Sequence, residues 1–162
     1  MKRLNNRGIT TIEILICFVL LAVISTSLYN TVSIYRNKQI LEGEREKIYT
    51  YKNLLTKEIQ DDIIKKNLKS VKDVTNNSLT LTFNDGSTAR LTVDKTGNKI
   101  SYAGIDYPLP NFGKNNSESV LKIKNCTIES SNSSLNIDVR FEHPDFGDKY
   151  GIHIVAPINY TS

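Results

Sequence analysis

An α+β fold, with one long N-terminal helix ahead of an antiparallel sheet of about six strands, is predicted by three features of the sequence. Residues 14–35 carry no charge; apolar residues then recur every seven positions at Ile34, Leu41, Ile48 and Leu55; and from Leu79 onward the apolar period shortens to two. The first implies a helix in lipid, the second a helix with one packed face, and the third a set of strands.

The uncharged run of 22 residues lies between Glu13 and Arg36. As a helix it would extend roughly 33 Å at about 1.5 Å per residue, enough to cross a bilayer core. It is longer than the apolar segment of a cleaved secretory signal. Ile14, Leu15, Phe18, Leu20, Leu21, Val23 and Ile24 supply its apolar surface. Lys2, Arg3 and Arg7 stand before it, and an excess of positive charge keeps its own side of a membrane helix in the cytoplasm. The expected topology is a single pass, with everything after Arg36 outside the cell.

Glu13 conflicts with this setting, because a carboxylate in an apolar helix costs about 2.5–3.5 kcal/mol near the bilayer centre and less at its edge. A nearby cation would relieve that cost. Cleavage after Gly8 would create one, an α-ammonium on Ile9, four residues before Glu13. Residues at i and i+4 are neighbours on one helix. The same pair formed between two packed helices would fix their axial register.

The run Arg7-Gly8-Ile9-Thr10-Thr11-Ile12-Glu13 resembles the processing site of type IV prepilins and type II secretion pseudopilins: a short basic leader, a glycine, the cut, and a glutamate at the fifth mature position. The resemblance covers about the first 40 residues. It implies a pilin fold, removal of residues 1–8 by a prepilin peptidase, N-methylation at Ile9, and assembly into a fibre through Glu13. It further implies a membrane platform of the assembly machine as partner, membrane lipid before assembly, and other pilin or pseudopilin subunits afterwards. The later half resembles minor, J-class pseudopilins more loosely, through a short strand pair, a Leu-Pro loop and long late strands. Relatives from Gram-negative bacteria often carry a C-terminal disulfide loop, which Cys17 and Cys126 lie too far apart to form. With its abundance of Lys and Asn, the chain points to a Gram-positive source. Cys17 itself reads as a small apolar core residue.

Four segments follow: leader 1–8, membrane and assembly helix 9–35, amphipathic helix and connector 36–72, and β head 73–162. Without Lys2, Arg3 and Arg7, the 21 basic residues fall to 18 against 17 acidic ones. So near-neutral a mature chain argues against nucleic-acid binding, which needs concentrated positive charge.

Beyond Arg36, Tyr51, Ile59 and Ile63 extend the heptad stripe, while Lys38, Glu42, Arg45, Glu46, Lys52 and Lys57 mark a solvent face. The stripe is expected to pack under a head rather than form a coiled-coil seam. Lys65 to Asn77 reads as helix end and connector, with a solvated group of lysines. Residues 79–83 and 88–93 flank Asn84-Asp85-Gly86 as a hairpin. A short strand at 99–103 follows, and Pro108 and Pro110 then break the sheet. Residues 120–128, 135–141 and 150–155 give three more strands.

Neither histidine has a nucleophile at recognisable spacing, and no catalytic residue, cofactor or metal is expected. Asp145-Phe146-Gly147 is a turn, lacking the other parts of a kinase site. His143, Asp145 and Asp148 form a minor candidate for a cation, with His143 otherwise a strand end and His153 a face residue of the last strand. The Asn-x-Ser/Thr matches at Asn76, Asn125 and Asn132 carry no weight in a bacterial chain. The expected function is a structural fibre subunit. One alternative is a tip adhesin or DNA-uptake module, which exposed aromatics at Tyr102, Tyr107 and Phe112 would favour; another is a monomeric signal-anchored sensor or enzyme, which would keep its leader.

Overall fold

A computed structural model describes residues 6–112, 121–131 and 133–158, with side chains from Thr10 onward. The elements among these residues are a helix α1 (Asn6–Lys66) and eight strands: β1 (Leu68–Lys72), β2 (Ser78–Phe83), β3 (Thr88–Asp94), β4 (Lys99–Tyr102), β5 (Ile105–Pro108), β6 (Lys122–Ser130), β7 (Ser134–His143) and β8 (Gly147–Pro157). The chain is therefore α+β, and it divides into two compact units, Met1–Gly43 and Glu44–Ser162.

In the first unit every side chain from Thr10 to Ile40 is exposed. The hydroxyls there do not break the helix. Thr26 Oγ1 donates to the Ala22 carbonyl and Thr31 Oγ1 to the Ser27 carbonyl, each at 2.8 Å, so both are satisfied by the preceding turn.

In the second unit the heptad stripe packs as expected from Ile48 onward. Ile48, Leu55, Ile59 and Ile63 are buried, while Ile34 and Leu41, before the boundary, are not. Each such burial contributes about 1.5–3 kcal/mol. The helix ends where Asn67 adopts a left-handed φ of 52°, a conformation that asparagine tolerates better than most residues. The Asn84 N–H then donates to the carbonyls of Lys66 (3.2 Å) and Asn67 (3.0 Å), occupying acceptors that the helix leaves open.

Two antiparallel meanders replace the single sheet of about six strands. One has the order β1-β2-β3-β4-β5, the other β6-β7-β8. The additional strands come from two places. Leu68–Lys72, read as connector, pairs with β2 as an edge strand, because the reversal at Asn67 lets Leu68 enter the core at once. Ile105–Pro108, read as the point where prolines break the sheet, pairs with β4. Ala103 and Gly104, at φ 50° and 84°, make the two-residue turn. Pro108 is tolerated because β5 is an edge strand.

Alternation decides which faces meet. Leu79, Leu81, Phe83, Leu91, Val93, Ile100 and Tyr102 from the first sheet, and Leu135, Ile137, Val139, Phe141, Ile152 and Ile154 from the second, join the buried part of the α1 stripe in one core. A register shift between Ile123 and Asn125 changes the parity of β6, which returns Cys126 and Ile128 to the buried face. Burial pushes the Cys126 thiol up to about 11, leaving it protonated and inert near neutrality.

Candidate functional site

Gly8 and Ile9 fall in the first turns of α1, their side chains outside the described residues, as is all of 1–5. Glu13 is exposed. It shares one helix face with Thr10, Ile14, Cys17, Phe18 and Leu21. No lysine, arginine or histidine occurs from Thr10 to Tyr35, so a cation for Glu13 has to come from outside that stretch. The helix from Thr10 is long and apolar enough to cross a membrane, and none of its most apolar window is buried. Ile14, Leu15, Phe18, Leu20, Leu21, Val23 and Ile24 all present more than half of their surface, and Cys17, expected as a core residue, is exposed as well. An exposed apolar surface this large is of the kind that marks a membrane or protein interaction site.

Within the second unit, α1 is tied to the β4–β5 hairpin by three tyrosines. The Tyr102 hydroxyl donates to Asp62 Oδ2 at 2.9 Å and the Tyr107 hydroxyl to Glu58 Oε2; the Tyr51 hydroxyl donates to the Tyr107 carbonyl at 2.8 Å. Residues 51, 58 and 62 are spaced by seven and four, which places them on one side of the helix. Burial, reinforced by Asp62, holds the Tyr102 phenol well above its ordinary range; burial, reinforced by Glu58, raises Tyr107 to about 12. Lys66 stands 2.8 Å from the other Asp62 oxygen. Exposed rings at Tyr102, Tyr107 and Phe112 would have favoured a binding head. Tyr102 is fully buried, and the other two are half-buried against the core.

The late-loop candidate is rearranged. His143 and Asp145 meet, but Asp148 turns away to Lys124, 3.1 Å off, which holds the Asp148 carboxyl below its usual range. Glu44 of α1 takes its place, with one oxygen 3.6 Å from His143 Nε2. His143 ends β7 as expected, yet it is 1% exposed. Its ring stacks on Phe146 at 4.5 Å and meets the edge of Phe112 at 5.7 Å. The Asp145 N–H donates to Nδ1 at 3.2 Å. His153 lies on the exposed face of β8, and Asp145-Phe146-Gly147 forms the β7–β8 turn, with Gly147 at φ 63°.

Glu44, Glu58 and Asp62 were indistinguishable by sequence from the solvent-facing charges beside them. Only the position of Glu58 and Asp62, each directly before a stripe residue, Ile59 and Ile63, could have marked them as flanking the packed face.

No protein-family model, curated protein or solved structure matches the chain. Fold and composition define its class as an α+β protein bearing one N-terminal helix long and apolar enough to span a membrane.

Proposed function

We propose that the chain is a pilin-like structural subunit, of the minor kind, of a type IV pilus or a type II secretion-like pseudopilus. It enters the membrane with its N-terminus in the cytoplasm and its head outside. It is then cut after Gly8 by a prepilin peptidase, N-methylated at Ile9, and transferred by the membrane platform into a fibre at the cell surface. The observation that carries this reading is Glu13 set just ahead of an uncharged, exposed stretch of helix and four residues after Ile9, whose amine cleavage at Gly8 would free as a cation. A packed α+β head following that helix supports it.

Assembly exchanges lipid for protein around the apolar residues from Ile14 to Ile24, and the Ile9 ammonium of one subunit neutralises Glu13 of another. Each carboxylate so paired is relieved of a penalty of about 2.5–3.5 kcal/mol or somewhat less. The test is Glu13→Ala. The variant is expected to insert in the membrane at wild-type level and to be missing from sheared fibres; incorporation at the wild-type ratio would overturn the pairing.

A further inference from the structure

We infer that Glu44 and His143 hold a divalent transition-metal ion, with Asp145 as the outer partner of the histidine, where α1 meets the β7–β8 turn. This goes beyond the fibre reading and is independent of it. Ligand-capable atoms of the three residues lie within 4.8 Å of one another. The second, separate observation is the state of the imidazole. Nε2 of His143 is buried without a hydrogen-bond partner, and it faces Glu44 Oε2 across 3.6 Å, too far for a good bond. A buried polar atom left unpaired is costly and rare enough to need a reason.

The proton balance is explicit. The Asp145 N–H donates to Nδ1, so the neutral ring carries its proton on Nε2, the buried and unpaired position. Metal binding places the Nε2 lone pair on the ion and moves the ring proton to Nδ1. There the Nδ1–H stays on the ring and donates a hydrogen bond to the Asp145 carboxylate, whose Oδ2 is now 4.0 Å away. The Asp145 N–H turns to water, which its exposed position in the turn permits. A histidine whose second nitrogen donates to a carboxylate is the usual arrangement at such ions. Two carboxylates balance the dication, while Lys47, over the Phe112 ring at 5.9 Å, is a neighbouring cation outside the ligand set.

Bond lengths of about 2.0–2.2 Å to nitrogen and oxygen require the two direct ligands to approach slightly more closely than they do here. Glu44, only partly buried, can swing in, and water fills the open positions. Imidazole with carboxylate suits zinc, cobalt or manganese; calcium prefers oxygen alone.

The experiment uses the full-length chain in detergent micelles, titrated with zinc and separately with calcium, with histidine nitrogen shifts read by NMR. The expected result is one zinc per chain, transfer of the His143 proton from Nε2 to Nδ1, and no response to calcium at the same concentration. Glu44→Gln, which keeps the buried histidine and should leave the thermal melt of the metal-free chain intact, is expected to weaken zinc by about tenfold or more; Asp145→Ala is expected to weaken it by about tenfold. His153→Asn should change nothing. Any of three results overturns the inference: no saturable zinc binding, an unchanged His143 tautomer at saturation, or equal affinity in wild type and Glu44→Gln.

Discussion

Replacing Tyr102 with Phe would delete the hydroxyl that donates to Asp62 Oδ2 at 2.9 Å while keeping a ring that is completely buried. No cavity opens, so the cost is that of the hydrogen bond itself. Bonds to charged groups contribute about 1.5–3 kcal/mol. Asp62 retains 23% side-chain exposure and its contact with Lys66, so water and a cation soften its loss. The lower part of that range, about 1.5–2 kcal/mol, is therefore expected. Urea unfolding of the full chain in micelles, followed by far-UV circular dichroism at neutral pH, measures it; the midpoint should fall with an unchanged slope. Combined with Asp62→Ala, which removes the acceptor, the two changes should be less than additive, since each alone deletes the same bond. A loss under about 0.5 kcal/mol, or strict additivity, would refute the view that this contact fastens the hairpin to the helix.

Gly151→Ala should be among the costly small substitutions of the head. An added Cβ would stand 2.5 Å from the Val139 carbonyl oxygen, which belongs to the backbone of the paired strand and cannot swing aside; a loss of about 1–3 kcal/mol in the same unfolding assay is expected. Stability should also fall in strong alkali. Tyr51, Tyr102 and Tyr107 all have folded values raised above the ordinary 10.0. The folded state thus keeps protons that the unfolded chain releases, and stability, fully present below about pH 10, declines as pH rises toward and through the folded values. A pH series of urea midpoints should show a shallower decline in Tyr107→Phe, whose contribution falls between 10.0 and about 12.

Periodicity made much of the architecture legible. The uncharged run, the heptad stripe and the alternation at Leu79, Leu81 and Phe83 are each local and regular patterns, and each corresponds to an observed element. What escaped was set by single backbone conformations. Asn67 at positive φ ends the helix and starts β1, and Ala103 with Gly104 creates β5 ahead of a proline that looks like a breaker. Alanine in a left-handed turn gives no compositional warning. Division into two sheets was equally hidden, because alternation tells which side of a strand is buried and not which strand lies beside it.

The candidate sites divide in the same way. Glu13 stands out because a charge in an apolar run is anomalous wherever it occurs. Glu44 does not, because it joins His143 from almost a hundred residues away, and no spacing rule spans such a distance. Asp148 was grouped with His143 for its nearness in sequence, yet strand β8 carries it toward Lys124 instead. Tyr102, where an exposed ring would have favoured a binding head, lies in the alternation of β4, two residues after Ile100, which puts it inside.

The proposed cut after Gly8 would supply Glu13 with a cation four residues away, on Ile9. Mass spectrometry of the N-terminal peptide, taken from the protein in its native envelope, tests this most directly. A peptide beginning at Ile9 and carrying one added methyl group is the predicted result. A chain that retains Met1 through Gly8 in the assembled or membrane-resident protein would contradict it.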